Sequence, residues 1–219
     1  ACNIYGESDF SPPSQIGGTF PLPPSNLEAT DGAFNHLIRI TWNPSPSPGA
    51  LGYNIYRATT FDPQYAALVG TTSGQCVFDD LNNEFGKRYY YWATATNRLG
   101  SSRFSGLNSG WRPLPAPALV LATSGTSTNG ILVTWSSVAN ANRYEIWRNT
   151  KNDTNTAEKV QNDWQQTVYT DKRVPKGIRY YYWIKSKNRE FVSVFSQSAH
   201  GFRSEGEADL VARLVTCTP

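Results

Sequence analysis

The strongest constraint on the fold is an internal repeat. The pentapeptide Arg-Tyr-Tyr-Tyr-Trp occurs at 88–92 and again at 179–183, 91 residues further on. A period of this length exceeds the roughly 20–50 residues of a solenoid repeat and matches a small domain. Further segments are related by the same offset or by one of 93: 53–57 with 144–148, Asp80 with Asp171, Asn97 with Asn188, 104–105 with 195–196, 110–112 with 201–203, and 38–42 with 131–135.

The repeat divides the chain of 219 residues into four parts. It predicts a first domain over 21–113 and a second over 114–203. The proline-rich stretch 113–117 lies at the boundary, and proline runs stiffen linkers toward an extended conformation. An N-terminal arm over 1–20 and a C-terminal strand or tail over 204–219 lie outside the repeat.

Hydrophobic alternation within each repeat predicts β-strands. Ile38, Ile40 and Trp42 alternate with Arg39 and Thr41, the period of two that a strand with one buried face shows. Segments rich in proline, glycine and serine separate such stretches, and no segment of useful length has helical periodicity. The sequence therefore predicts an all-β chain of two sandwiches, each built from two sheets.

These features resemble the fibronectin type III family. A tryptophan at 42 and at 135 matches the strand-B tryptophan of the family, and Tyr-x-Ile-[Tyr/Trp]-Arg matches its strand C. The pattern Gly-x-x-Tyr-Tyr-Tyr-Trp, which begins at Gly86 and at Gly177, is typical of strand F. The resemblance covers about residues 21–203 and is closest to bacterial extracellular versions of the family, so it implies a secreted or cell-surface protein.

The resemblance also assigns a structural role to two tyrosines. Tyr89 and Tyr180 occupy the position of the tyrosine corner, in which a phenol hydroxyl bonds to a nearby backbone carbonyl. Because this fold supports many unrelated functions, the resemblance predicts the architecture and says little about the activity.

Charge and hydropathy exclude two classes of partner. The net charge is +3, and lysine and arginine form no cluster of the kind that nucleic-acid-binding proteins carry. No stretch of 18 apolar residues is present, so no membrane-spanning helix is predicted.

The three cysteines lie at positions 2, 76 and 217 and lack the spacing of a metal site. Cys76 lies within an apolar alternation and is predicted to be a small core residue. Cys2 and Cys217 could join the two ends in a disulfide, with an apolar strand over 210–217 pairing with the N-terminal arm or with a neighbouring molecule. The alternative is a disordered arm at one end and a remnant of cloning at the other.

Residues that could carry catalysis are scarce. His36 and His200 are the two histidines, and neither lies near a nucleophile motif. Asp80 and Asp171 each follow an apolar strand, where capping of a turn is the expected role. The sequence therefore predicts a non-enzyme with no catalytic, cofactor-binding or metal-binding residues.

Aromatic side chains form the one candidate interaction surface. If Tyr89 and Tyr91 face the core, then the residues between and after them face outward, together with an aromatic residue of the neighbouring strand. Such rings could stack on sugars, or they could pack under the stems of Arg57 and Lys185. The predicted surface comprises Tyr56, Tyr90 and Trp92 in the first repeat and Trp147, Tyr181 and Trp183 in the second.

Two functions follow as expectations. The first is a non-catalytic extracellular structural or adhesive protein that assembles into filaments through its terminal segments, with another copy or a cell-surface protein as partner. The second is a carbohydrate-binding accessory module that uses the aromatic surface to hold a polysaccharide. Neither expectation requires a cofactor.

Overall fold

The computed structural model describes residues 18–206 and the backbone of two short strands before them, β1 (Cys2–Asn3) and β2 (Gly6–Glu7). These two strands pair antiparallel with each other. The strand predicted over 210–217 and the side chains of a Cys2–Cys217 disulfide lie outside the described residues.

The first repeat forms two antiparallel sheets. One has the order β3-β4-β7, and the other has the order β10-β8-β5-β6, with β9 paired to β8. The only helical element in the described part of this repeat is a 3-10 turn at Pro63–Tyr65. The strands are β3 (Ser25–Ala29), β4 (Ile38–Asn43), β5 (Gly52–Ala58), β6 (Ala67–Thr72), β7 (Val77–Asp80), β8 (Arg88–Asn97), β9 (Gly100–Ser101) and β10 (Asn108–Trp111).

The second repeat forms the same pair of sheets, with orders β11-β12-β15 and β14-β13-β16-β17. The all-β prediction is confirmed, and the strands begin and end close to the positions where the alternation of the sequence begins and ends. The strands are β11 (Val120–Ala122), β12 (Ile131–Trp135), β13 (Arg143–Asn149), β14 (Glu158–Trp164), β15 (Val168–Asp171), β16 (Arg179–Lys187) and β17 (Ala199–Phe202).

Each repeat buries the same aromatic pair between its sheets. Trp42 on β4 meets Tyr53 on β5 edge to face, with ring centroids 5.3 Å apart. Trp135 on β12 meets Tyr144 on β13 in the same way at 5.4 Å. Aromatic pairs in this geometry contribute about 0.5–1.5 kcal/mol beyond the area that they bury. The repeated tryptophan is therefore a core residue in both sandwiches.

The phenol hydroxyls of core tyrosines bond to the backbone of nearby loops. Tyr89 accepts a hydrogen bond from the N–H of Glu84 at 3.2 Å, so this residue of the predicted tyrosine corner contacts a backbone N–H. Tyr53 and Tyr144 accept from the N–H groups of Ser45 and Val138. Since a buried hydroxyl without a partner is costly, these bonds fix the path of each loop relative to its sheet.

By packing, the chain divides into two compact units. Among the described residues, unit 1 comprises 18–28, 40–78 and 90–108, and unit 2 comprises 29–39, 79–89 and 109–206. Unit 2 therefore includes residues of both repeats. The division at 113 and 114, which the repeat predicts, stays a prediction.

Candidate functional site

The predicted aromatic residues lie on the face of each sheet that points away from the core. In unit 1, Tyr56 on β5 is paired directly with Trp92 on β8. In unit 2, Trp147 on β13 is paired directly with Trp183 on β16. Directly opposed residues have side chains on the same face, so each sheet carries a pair of rings in contact range.

A phenylalanine covers the rings of unit 1. The Phe104 ring meets Tyr56 edge to face at 5.0 Å and lies 6.1 Å from Trp92. Trp92 is 4% exposed as a result, while Phe104 itself is 37% exposed. The face of the tryptophan is thus closed to a ligand.

In unit 2 a phenylalanine likewise packs on the outer rings, and two lysines contact this group of rings. Phe195 meets Trp147 edge to face at 5.3 Å. Lys185 places its Nζ 4.1 Å from the centroid of Phe195, and Lys159 places its Nζ 4.9 Å from that of Trp147. Trp183 is 4% exposed. Lys185 Nζ also lies 5.8 Å from the centroid of Trp147, so the lysine of the packing alternative lies beside one of the predicted rings.

Polar bonds complete the outer face of unit 2. Glu145 is 6% exposed, and its carboxylate accepts hydrogen bonds from the Trp147 indole N–H at 3.0 Å and from Lys159 Nζ at 2.7 Å. The buried Glu145 carboxylate thereby keeps the indole in one orientation. The face is a packed layer of rings and ion pairs.

Paired serines hold the covering segments in place. Ser105 accepts a hydrogen bond from the N–H of Ala93 at 3.0 Å, and Ser102 accepts from that of Ala95 at 2.9 Å. Because the hydroxyls satisfy backbone groups of β8 that a neighbouring strand would otherwise take, the segment runs beside the strand without regular pairing. In unit 2 the equivalent bonds run from Ile184 to Ser196 and from Ser186 to Ser193.

The predicted outward direction of the rings is thus correct, and the predicted exposure of Trp92 and Trp183 is wrong. Trp92 is covered by Phe104, whereas Trp183 packs against Tyr181 and beside its cross-strand neighbour Trp147. The other predicted rings, Tyr56, Tyr90, Trp147 and Tyr181, are half-buried. Tyr181 stacks on Trp183 at 6.4 Å and lies 5.6 Å from His200. Whether this face binds a partner stays a prediction.

Asp171 is the centre of a buried polar cluster that the sequence pattern did not predict. Its Oδ1 accepts the N–H of Arg173, which confirms the predicted turn cap. Its Oδ2 accepts from Arg148 at 2.7 Å and from the Tyr182 hydroxyl at 3.0 Å, and the residue is 0% exposed. Asp80 caps the equivalent turn by accepting the N–H of Asn82. Two repeated residues in the sequence could have pointed to this cluster: the aspartate at 80 and 171, and the arginine at 57 and 148.

Because Tyr182 belongs to this cluster, the free energy of unfolding is expected to change with pH in the alkaline range. Burial raises the pKa of the Tyr182 phenol, and the adjacent Asp171 carboxylate raises that pKa further. An unfolded tyrosine titrates near about pH 10. Since the folded state holds this proton more tightly, its stabilising effect is complete below about pH 10 and is lost as the pH rises toward the folded pKa.

We therefore expect the free energy of unfolding to fall above about pH 10, by up to about 1.4 kcal/mol per pH unit from this residue. Urea denaturation between about pH 8 and pH 11 measures the slope. Tyr182→Phe is expected to flatten it, whereas Tyr65→Phe, at a site 69% exposed, is expected to leave it unchanged. Equal slopes for wild type and Tyr182→Phe would contradict the assignment.

The cysteine at position 76, possible metal sites and possible membrane spans complete the comparison with the sequence-based predictions. Cys76 has a free thiol and is half-buried. It was predicted to lie in the core, and its side chain is more exposed than that prediction implies. Within residues 18–206, no three His, Cys, Asp or Glu side chains form a group that could hold a metal ion. No helix among the described residues is long and apolar enough to cross a membrane.

Comparison with known proteins gives partial sequence matches and a shared fold. No family model matches the chain. It is 37% identical over 83 residues to an amylopullulanase of Thermoanaerobacterium saccharolyticum and 33% identical over 98 residues to one of Thermoanaerobacterium thermosulfurigenes. The matches cover 38% and 45% of this chain but only 6% and 5% of those proteins.

The similarity to solved structures extends over more of the chain. A segment of two fibronectin type III domains from chicken tenascin matches 81% of this chain and 98% of its own length, with a TM-score of 0.60 and 17% identity. A Fn3-like protein from Clostridium thermocellum matches 43% of this chain at 25% identity and a TM-score of 0.38. The strand order, the repeated core pairs and the tenascin match together show that this chain has the fibronectin type III fold, twice in tandem.

Proposed function

We propose that the chain is a non-catalytic structural module of an extracellular bacterial protein. The observation that carries the proposal is the covering of the outer aromatic face, which occurs in both repeats. Phe104 lies over Trp92 and Phe195 lies over Trp147, each on a segment pinned by two serines. A face built to hold a ligand would leave its rings open, whereas this one uses them for packing.

The partial matches to amylopullulanases support a module of this kind. Each match spans about one domain length and only a small part of the matched enzyme. The extracellular location belongs to the proposal and rests on the resemblance to bacterial extracellular versions of the fold. An adhesive role toward a cell-surface partner is a finer form of the same proposal.

Carbohydrate binding is the second candidate, and two observations favour it. The matched enzymes are named for pullulan and amylose-type glucans, which are polymers of glucose. In addition, Tyr181 and Trp147 are half-buried, so part of each ring reaches solvent on the second repeat. Both rings already pack against other side chains, Trp147 against Phe195 and Lys159 and Tyr181 against Trp183 and His200. Little ring surface is left for a sugar, which is why we rank this function below the first.

Native electrophoresis in gels that contain pullulan or amylopectin separates the two candidates. We expect the mobility of the wild-type protein to equal that in a gel without glucan, because Trp92 and Trp183 are buried and Trp147 is packed against Phe195 and Lys159. Trp147→Ala and Tyr181→Ala are expected to migrate in the same way. An unrelated protein of similar size corrects for the viscosity of the gel. Retardation of the wild type by either glucan, lost in Trp147→Ala or Tyr181→Ala, would replace the structural function by the second candidate.

A further inference from the structure

Four basic side chains gather on the outer face of unit 2, beside the packed rings. They come from three strands, β13, β14 and β16, so the sequence keeps them apart. Strand pairing brings them together, because Arg143 lies directly opposite Lys187 and Lys159 lies directly opposite Trp147. Lys185 is two residues before Lys187 on β16 and therefore points to the same face. We call Arg143, Lys159, Lys185 and Lys187 the cationic face.

Two carboxylates lie among these cations and leave an excess of positive charge. The buried Glu145 forms an ion pair with Lys159 at 2.7 Å, and Asp163 forms one with Lys187 at 2.7 Å. Within the described part of the chain, the other two cations of the face form no ion pair. The cationic face therefore offers two unpaired charges and two that are only partly balanced, because Lys159 and Lys187 keep further donors.

The charges of the face act together on Asp163. The pKa of this carboxyl is lowered, first by its hydrogen bond to Lys187 and further by the charges of Lys187, Arg143 and Lys159. An anion placed here is thus stabilised by cations from all three strands. The same field is available to an anionic group of a partner.

The first repeat builds the same sheet without these charges. Its outer rings Tyr56 and Trp92 are opposed in the register of Trp147 and Trp183. Since the first repeat folds with neutral residues at the places of all four cations, packing does not require the cations, and they are available for a partner. Gly52 stands for Arg143, Leu68 for Lys159, Thr94 for Lys185 and Thr96 for Lys187.

We propose that the cationic face binds an acidic polysaccharide, one whose sugars carry carboxylate groups. Charge complementarity is the reason, because ammonium and guanidinium groups form charge-assisted hydrogen bonds with carboxylates. Arg143 can hold a carboxylate through two parallel bonds, whereas each lysine acts as a single charge. The contact is ionic and lies beside the rings, so it does not need an open tryptophan face. It gives the structural module a partner of a different kind from the neutral glucans.

The spacing of the cations favours a polysaccharide over a nucleic acid. Alternate residues of a strand, such as Lys185 and Lys187, lie about 7 Å apart. Double-stranded DNA carries one charge per about 1.7 Å of its axis, and its binding depends on neutralising many of these phosphates. Two unpaired and two partly balanced cations suit a chain with one charge on each sugar, where the anions are farther apart.

Fluorescence anisotropy of a labelled oligogalacturonate, which has a carboxylate on every sugar, tests the proposal. We expect the full chain to bind it with a Kd below about 1 mM in about 20 mM salt. The affinity is expected to fall severalfold in about 200 mM salt, because exposed ion pairs are screened. Arg143→Gln with Lys185→Thr is expected to weaken binding about fivefold to tenfold, the effect of losing two such pairs.

Lys172→Thr with Arg173→Gln is the matched control. It makes the same two changes at exposed positions just after β15, which belongs to the other sheet of the second repeat, and is expected to bind like wild type. Circular dichroism verifies that both double variants are folded. Lys187→Thr, which introduces the residue of the first repeat, is expected to weaken binding about threefold and serves if the first double variant unfolds.

Three results would overturn the proposal: no binding of oligogalacturonate at low salt, equal affinities of the two double variants, or tighter binding of double-stranded DNA with the same number of charges. None of them alters the mobility in gels that contain pullulan or amylopectin. The test of the proposed function with neutral glucans is therefore decided separately.

Discussion

Asp171→Asn is expected to destabilise the second repeat by about 3–5 kcal/mol, the cost of removing one partner from a buried ion pair. The asparagine can still cap the turn through the N–H of Arg173. It cannot balance the charge of Arg148, whose side chain is only 13% exposed, and it also weakens the bond from the Tyr182 hydroxyl. Urea denaturation followed by circular dichroism measures the loss.

Asp163→Asn is the matched control for this change. Asp163 also forms an ion pair at 2.7 Å, with Lys187, but its side chain is 49% exposed. Pairs at this exposure contribute about 1 kcal/mol or less, so the control is expected to unfold close to wild type. Similar losses for Asp163→Asn and Asp171→Asn would contradict the assignment of Asp171 as a buried anchor.

The ion pair gives a structural role to the arginine and the aspartate of the second repeat. Arg148 lies on β13 and Asp171 on β15, which belong to different sheets of the second sandwich. The bond therefore ties the two sheets through the core. Spacing along the sequence predicts which residues share a strand face, but it does not predict which side chains meet across the core. The turn cap joins residues that are close in sequence, so the sequence could predict it. The ion pair joins distant residues, so the sequence could not.

The same distinction accounts for the aromatic surface. Alternation along β8 and β16 correctly placed Trp92 and Trp183 on the outer face, since the direction of a side chain follows from the period of the strand. The covering of Trp92 depends on Phe104, and that of Trp147 depends on Phe195. Both phenylalanines lie on segments with no alternation. The repeated Phe-Ser at 104–105 and 195–196 was visible in the sequence. The position of the phenylalanines could not be predicted from it, because that position depends on the serine hydroxyls, which accept hydrogen bonds from β8 and β16 in place of a neighbouring strand.

A repeated glycine marks a third contact that only the packed structure reveals. Gly201 on β17 faces the backbone of the strand segment at Thr123, and a Cβ at this glycine would overlap the carbonyl oxygen of Thr123. Gly110 lies in the same position in the first repeat, where a Cβ would come within 2.7 Å of the carbonyl oxygen of Thr30. The two sheets approach each other here too closely for any side chain.

Gly201→Ala is therefore expected to lower the free energy of unfolding by about 3 kcal/mol or more. The backbone at Thr123 cannot retreat without weakening its hydrogen bond to the carbonyl of Leu132, which is 2.9 Å long. Thermal and urea denaturation measure the effect. Gly106→Ala, with nothing within 4 Å of the added Cβ, is expected to stay within about 1 kcal/mol of wild type. Comparable stability of the two alanine variants would show that the sheets separate easily at this point, against the close packing inferred from the repeat.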